Sequence, residues 1–502
     1  MLNLRMSRPP PPSAAALLER PPAGPVPPSN QVAADRAGAA AASAARVRSQ
    51  WLWLLLVLAL ALVLRLAVVG WLAGMPLFVA DERDYDALAT HLAATGQYAY
   101  QPGVPTSLRP PLYPALVAGV YRLAGPQSHT LVRLVQALLG TLTVALVWQL
   151  GRRLYDEWTG LVAAAIVAAY PSLVAATGLI LTETLFTFLL VAGVTLLVEY
   201  RLRGGWGWVA AGSAVLALAA LTRSVLWLFP PILLSWVVLA GPGTRWTARL
   251  GHAGVAAAAF GLVLLPWTIR NTLLHKTFVT VDVMGGRNFM MGNYEFTPLD
   301  RPWDAISMEG ERAWHHVLLA AYPDRPPLTQ GQLDKLALKY GLNYVRRHPV
   351  QTLVRDVAKF FHFWQLEREV VAGLARGWWG ELPRWAVMAV AAVIVSSYVV
   401  VLLSGVWGAL RAMSECPAGV VLLVLVIAFV CGIHTLVFGH SRYHLPLMPL
   451  VGVFAAAAMC QGRDLLTRQR GKLSLWFAAG LCGLLVAGWA VELLSAAARL
   501  WS

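Results

Sequence analysis

The amino-acid sequence predicts an all-α polytopic membrane protein. Three observations carry this reading: an apolar composition, a shortage of charge, and repeated apolar runs of spanning length. The 502 residues are 58% hydrophobic and only 13% charged, and the mean hydropathy is +0.60. Soluble domains carry about a quarter charged residues. A helix needs about 20 largely apolar residues to cross the hydrocarbon core. The stretch WLWLLLVLALALVLRLAVVGWL at 51–72 meets that length with Arg65 as its single charge. A cleaved signal peptide is not expected, because this first run starts after some fifty residues and is longer than a signal's apolar stretch.

Residues 1–49 are rich in Pro, Ala and Arg, as in RPPPPS and RPPAGPVPPSN. They lack the apolar periodicity that builds a core and read as a disordered cytoplasmic tail. About 11 spans follow (11–13 on the same length criterion). They are placed at 51–73, 129–150, 159–178, 181–200, 206–221, 224–240, 250–268, 384–410, 418–437, 444–460 and 473–495. The chain thus divides into a transmembrane module at 50–268, which includes a first loop at 74–127, a polar loop region at 269–383, and C-terminal spans within 384–502. No internal repeat is visible.

Lys and Arg near the helix ends set the orientation. With a cytoplasmic N-terminus, the cytoplasmic junctions carry Arg46 and Arg48, Arg152 and Arg153, Arg201 and Arg203, Arg245 and Arg249, Arg411, and Arg463, Arg468, Arg470 and Lys472. The same alternation puts loops 74–127 and 269–383 outside. Much of the formal net charge of +15 is then a topology signal, not a nucleic-acid footprint. Cys416, Cys431, Cys460 and Cys482 lie in or beside apolar runs, at no metal or disulfide-framework spacing, and read as small apolar residues. The 21 Trp fit aromatic anchors at the membrane interfaces.

The polar motifs fall on the outer face of this topology. Asp81 and Glu82, in ADERDY, sit at a helix start just beyond the first span. Tyr85, Leu88 and Leu92 then follow at helical spacing, with Gly96 as a stop. Asp81 reads both as a helix N-cap and as a general base whose pKa an interfacial cleft can tune; the two are compatible. Arg109 precedes Pro110 and Pro111, which hold the backbone extended. A rigid Arg at that depth suits bidentate phosphate recognition, or a lipid headgroup. Glu183, in LTETLF, opens a span where the helix dipole lowers the cost of a negative charge.

Arg223 and Arg270 are weaker outer signals, and Arg442, in GHSRYHLPLMP, is a further phosphate candidate. Arg65, within the first span, is expected to snorkel to the outer surface. His440 and His444 have the spacing of zinc ligands on a helix, but no HExxH motif or third ligand accompanies them. No Walker A motif and no GxGxxG after a strand marks a nucleotide fold. Independent helix caps would populate both faces. Carboxylates and arginines from separated parts of the chain on one face point to a shared site.

These motifs resemble a family. DERDYDALATHLAATGQYAY…GVPTSLRPPLYPALVAGVYRLAG is similar to the first loop of glycosyltransferase family 39, the dolichyl-phosphate-mannose protein mannosyltransferase-like proteins of the GT-C class. Bacterial lipid A aminoarabinose transferase shares that class. LTETLFTFLL, ALTRSVLWLFP, PWTIRN and SRYHLPLMPL follow in the family's order, so the resemblance spans about 51–460. It implies a GT-C bundle and an inverting sugar transfer from a polyprenyl-phosphate donor to a lipid, protein or glycan acceptor outside the cytoplasm. It implies Asp81 as the catalytic carboxylate, Glu183 as a second acidic position, and Arg109 and Arg442 as basic residues at the donor phosphate. Arg270 joins them as a further phosphate candidate, and Glu82, Tyr85, Tyr113 and Tyr443 as supporting ones. The family's second acidic motif often has Asp where this chain has Glu183. No cofactor is evident, a divalent metal stays open, and the partners expected are the lipid-linked sugar, its acceptor and membrane lipids, with no nucleic acid. The alternatives are a transporter or flippase of lipid-linked sugars, for which inverted repeats and a midplane site would be expected, and an envelope scaffold.

Overall fold

The computed structural model describes residues 29–243, 245–323, 326–413, 417–467 and 472–501. Residues 1–28 of the expected tail, with Cys416, Arg468 and Arg470, lie outside them. The first helix, α1 (Ser29–Trp71), begins within the segment read as a tail and carries the first span. Next comes α2 (Ala80–Thr95), which stops at Gly96 in the left-handed conformation that glycine adopts without strain (φ 74°). A short antiparallel hairpin follows, β1 (Ala99–Gln101) with β2 (Val104–Pro105). After it, α3 (Leu112–Ala124) buries Tyr113, Val117 and Tyr121, one helical face at four-residue spacing.

The membrane module continues with α4 (His129–Leu154), α5 (Glu157–Ala169), α6 (Pro171–Ala176), α7 (Glu183–Arg203), α8 (Trp206–Ala220), α9 (Pro230–Ala240) and α10 (Trp246–His275). The region 269–383 completes α10 and then folds into α11 (Gly285–Gly292), α12 (Trp314–Ala321), α13 (Gln330–Arg347), α14 (Pro349–Phe363) and α15 (Arg368–Ala375). A separate small core there joins Met290, Tyr294, Ala305, Val317, Leu318 and Ala337. The chain ends in α16 (Arg384–Met413), α17 (Ala418–Leu436), α18 (Met448–Thr467) and α19 (Lys472–Trp501).

Among the described residues, eight helical segments are long and apolar enough to cross a membrane, and each matches an expected span. The other three expected spans, 159–178, 206–221 and 224–240, are occupied by shorter helices, for local reasons. Pro171 lacks the N–H that would continue α5 and opens α6 instead. A 3-10 turn at Ser224–Leu228 and Pro230 shorten the next candidate to 11 residues. With its 15 residues, α8 reaches only about 22 Å at 1.5 Å per residue.

Burial separates the centre from the rim. In α7 and in the Ser441–Gln461 segment, 78% of the apolar window is buried, against 22% in α16 and 17% in Trp476–Ser495. The exposed residues of α16 include Trp385, Met388 and Val393, a surface suited to lipid, since a helix apolar all round must be buried or span a membrane. The snorkelling expected of Arg65 does not occur. Arg65 is 1% exposed, and its guanidinium donates to the carbonyls of Ala61 (3.0 Å), Ala168 (3.2 Å) and Val167 (3.5 Å). Two of these are last-turn carbonyls of α5, which have no intrahelical donor and bear the negative end of the helix dipole. A buried cap satisfies them better than a snorkelling side chain could.

One glycine fixes the approach to α18. A Cβ on Gly439 would lie 1.8 Å from the Lys359 carbonyl oxygen, so the segment leading to Ser441 packs against α14 only without a side chain there. Gly439→Ala is expected to cost about 1–3 kcal/mol through overpacking, read as a lower thermal unfolding midpoint of the detergent-purified protein. An unchanged midpoint would contradict this packing.

Candidate active site

The site starts from the first turn of α2. Its N-cap is Val79, which has no side-chain oxygen to offer. The third helical residue, Glu82, supplies the missing acceptor: Oε2 accepts the N–H groups of Phe78 (3.1 Å) and Val79 (3.0 Å), and Oε1 accepts the N–H of Ile180 (2.8 Å). Glu82 is therefore buried as a clamp between α2 and the turn before α7, and the capping role expected of Asp81 belongs to it. Asp81, the second helical residue, is left free to face outward from the clamp.

Asp81 bridges two arginines that are distant in sequence. Oδ1 accepts from Arg109 Nη2 at 2.7 Å and Oδ2 from Arg442 Nη1 at 2.8 Å. Asp84, three residues on and so on the same helical face, takes the same Arg109 nitrogen at 2.8 Å. Arg109 is held by its backbone, since the Tyr98 hydroxyl donates to the carbonyls of Arg109 (2.9 Å) and Pro110 (3.2 Å). Its guanidinium lies 5.2 Å from the Tyr85 ring centroid. Arg442 sits in a 3-10 turn, where its N–H donates to His440 Nδ1 at 3.3 Å, and its Nε donates to Glu183 Oε1. Glu183, the first residue of α7, also takes Arg223 Nη1 at 3.2 Å. Arg223 in turn lies 5.1 Å from the Tyr443 centroid and 5.7 Å from that of Phe186.

The result is an alternating chain, Arg109–Asp81–Arg442–Glu183–Arg223, gathered from the first loop, the starts of α2 and α7, the end of α8 and the turn before α18. Burial alone would raise the Asp81 pKa, but the charges and hydrogen bonds of Arg442 and Arg109 outweigh it and hold the carboxyl at about 2. Arg109 stays cationic: burial opposes its charge, yet Tyr85, Asp81 and Asp84 raise its pKa overall. The Asp81 pairs therefore stabilise the fold above the ordinary carboxyl pKa, and that contribution disappears as pH falls through about 2.

The structure places the remaining sequence candidates behind or beside this chain. Tyr113 is fully buried, donates to Gln136 Oε1 (2.8 Å) and packs edge-on against Tyr85. Tyr443 stacks on His434 with centroids 4.2 Å apart. Arg270 is not brought to the other arginines. Its guanidinium donates to the Thr106 carbonyl (2.7 Å), Ser107 Oγ (2.7 Å) and Asn271 Oδ1 (2.9 Å) and lies 4.6 Å from a Trp267 ring centroid. It braces the segment between β2 and Arg109. The two histidines also part: His440 faces Glu369 (3.4 Å), whereas His444 Nδ1 meets the Phe363 carbonyl and its Nε2 faces Glu367 (3.4 Å).

Two acidic residues, one in the site and one near it, carried little sequence signal. Asp84 stands in the polar string DERDYD, and only its three-residue spacing from Asp81 distinguishes it. Asp282, after α10, is pushed up to about 6 by burial, against a hydrogen bond from Ser224, and no motif announces it.

The resemblance read from the sequence is matched by a family model. The model described as Dolichyl-phosphate-mannose-protein mannosyltransferase matches residues 108–269, a stretch that holds Arg109, Glu183 and Arg223. Among solved structures, the oligosaccharyltransferase of Archaeoglobus fulgidus, in complex with Zn and sulfate, is 15% identical with a TM-score of 0.48, over 86% of this chain and 52% of that one. The archaeal oligosaccharyltransferase AglB from Archaeoglobus fulgidus, in complex with an inhibitory peptide and a dolichol-phosphate, is 16% identical at 0.48, over 87% and 54%. ArnT from Cupriavidus metallidurans bound to undecaprenyl phosphate is 17% identical at 0.39, over 82% and 79%. The chain thus spans about half the length of these archaeal oligosaccharyltransferase chains. A search of curated proteins finds no match.

The two neighbouring acids of α2 separate in experiment. Glu82→Ala strips the acceptor from three backbone N–H groups, each worth about 1 kcal/mol or more when left buried and unpaired. It is expected to lower the thermal unfolding midpoint well below that of Asp81→Asn, whose position is partly open to solvent. Equal midpoints for the two variants would contradict the clamp.

Proposed function

We propose that this protein is a membrane glycosyltransferase that moves a sugar from a polyprenyl phosphate to an acceptor on the extracytoplasmic face, with inversion at the anomeric carbon. The observation that supports it most is the bridging of Asp81 by Arg109 and Arg442. It sets one carboxylate among cations suited to a phosphate, at the edge of an apolar helix bundle where a lipid tail can lie.

The charge distribution along α7 supports this side of the membrane. Glu183 opens this 21-residue helix, and Arg201 and Arg203 lie in its last turn. The two ends are about 30 Å apart at 1.5 Å per residue, the thickness of a hydrocarbon core. Arg152 and Arg153 end α4, and Arg153 shares buried Glu199 with Arg203 at 2.6 and 2.7 Å, so basic residues of two helices gather at the end opposite Glu183. By the positive-inside rule this supports a cytoplasmic reading for that end and an extracytoplasmic one for the site.

The reaction is a single displacement. The acceptor's nucleophilic oxygen or nitrogen bonds to the anomeric carbon from the face opposite the phosphate, and the bond from that carbon to the phosphate oxygen breaks. The acceptor's proton passes to Asp81, and the leaving polyprenyl phosphate keeps the bonding pair. Arg109 and Arg442, turned to the phosphate on rigid backbones, neutralise its growing charge, and Glu183 stays paired with Arg223. A carboxyl held at about 2 is too weak a base for this task near neutral pH. The donor phosphate resolves the mismatch: when Arg109 and Arg442 turn to it, the burial that remains raises the Asp81 pKa. Donor binding thus arms the base.

Two outcomes are expected in liposomes with a panel of polyprenyl-phosphate sugars and envelope extract as acceptor. Wild type transfers sugar and folded Asp81→Asn loses about 100-fold or more of the rate, the usual weight of a general base; full activity in the variant would remove Asp81 from that role. In addition, kcat falls on the acid side at a higher pH than kcat/KM does, because kcat reports the donor complex and kcat/KM the free protein. Coincident acid limbs would contradict the arming of Asp81 by the donor.

A further inference from the structure

Behind Glu183 lies a small cavity with a mostly apolar wall that the reaction above does not use. Arg65, Gly140, Thr143, Val167, Glu183 and Thr184 are among the residues that line it, and the space open to the centre of a water molecule is about 20 Å³. Three side chains present polar atoms there without a hydrogen-bond partner: Arg65 Nε, Glu183 Oε2 and Thr184 Oγ1. All three residues are more than nine-tenths buried, at 1%, 3% and 7% exposure. The other two hydroxyls on the wall are already committed, Thr143 to the Leu139 carbonyl (2.8 Å) and Thr187 to the Glu183 carbonyl (2.7 Å).

Leaving such atoms unpaired is costly. A buried donor or acceptor without a partner costs about 1–3 kcal/mol, more for a charged group, and water does not enter from the hydrocarbon core. One water needs on the order of 10–15 Å³ and two to four polar partners; this space meets both conditions. We infer that the cavity holds one ordered water molecule that joins Arg65, Thr184 and the inner oxygen of Glu183. The water accepts the Arg65 Nε–H and donates one proton to Glu183 Oε2. The Thr184 hydroxyl takes its second proton or donates to its free lone pair.

The cavity depends on Gly140. A Cβ at that position would stand 2.5 Å from Arg65 Nε and 3.0 Å from Arg65 Cδ, so only glycine lets the guanidinium stem lie beside the water. The consequence for the site is asymmetric. Glu183 Oε1 receives Arg442 and Arg223, while the water anchors Oε2, so the carboxylate is pinned from both ends and cannot rotate away when Arg442 turns to a phosphate. Arg65 and Thr184 are thereby positioning residues, acting on the reaction through Glu183. This role rests on the glycosyltransferase reading; the water itself does not.

The test pairs a density map with two substitutions in the full chain. In nanodiscs, a cryo-electron-microscopy map resolving ordered water should show one density feature within hydrogen-bond distance of Arg65 Nε, Glu183 Oε2 and Thr184 Oγ1. An empty cavity, or Glu183 Oε2 bonded directly to Arg65, overturns the inference. Thr184→Val keeps the shape and removes the hydroxyl; kcat should fall about fivefold, the weight of one net hydrogen bond, with the donor KM changed by less than about twofold. Thr184→Ser restores the hydroxyl and should recover most of that loss. Gly140→Ala should displace the Arg65 stem and remove the density. Equal kcat in the Val variant and wild type overturns the positioning role. If wild type transfers no sugar from any polyprenyl phosphate, the functional reading fails, and the density still decides the water.

Discussion

Asp81 spans two arginines that no local structure would bring together. Arg109 comes from the bend before α3, followed by two prolines, and Arg442 from a 3-10 turn more than 300 residues further on. Each guanidinium alone at the edge of an apolar bundle would be costly to desolvate, and so would the carboxylate. Joined, they cancel most of that cost, and Glu183 extends the same logic through Arg442 to Arg223. The alternation of sign makes a cluster of ionised groups tolerable at that depth and binds the first loop, α7, α8 and α18 into one unit. Such a pairing satisfies the groups at rest yet leaves arginines whose carboxylate partner can be exchanged for a phosphate.

In the proposed reaction, the surrounding architecture serves this exchange by holding the segments that carry the site while leaving the guanidiniums free to turn. Glu82 locks α2 to the turn before α7 through three backbone N–H groups. Arg270 and Tyr98 immobilise the segment that carries Arg109. Gly439 lets the approach to Arg442 lie against α14. Rigid backbones with movable side-chain ends suit a site that must accept an anion without rebuilding itself. The peripheral helices, α16 and α19, expose apolar faces suited to lipid and add no charge to the site.

Much of this was legible in the sequence, for a physical reason. A charged residue at the edge of an apolar run is expensive, so Asp81, Arg109, Glu183 and Arg442 stood out against their neighbours, and the structure brings those four into contact. The helical body was equally legible except at three expected spans, where Pro171, the 3-10 turn before Pro230 and the 15 residues of α8 leave shorter helices. What the sequence concealed depended on distant partners. The role of Glu82 required Ile180, the confinement of Arg270 required the Thr106 carbonyl, and the burial of Arg65 required the open end of α5. Periodicity and spacing report local geometry, and none of these partners is local. Asp282 was silent for the same reason, since its environment is made by segments far from it in sequence.

The central claim is that Asp81 and a donor phosphate compete for the same arginines. Binding of undecaprenyl phosphate to purified wild type and Asp81→Asn, by calorimetry in detergent at fixed ionic strength, tests it without any sugar transfer. The account predicts that the variant, inactive as an enzyme, binds the lipid phosphate more tightly, by about tenfold if one charge-assisted hydrogen bond is released to it. Weaker or unchanged binding in the folded variant would contradict it.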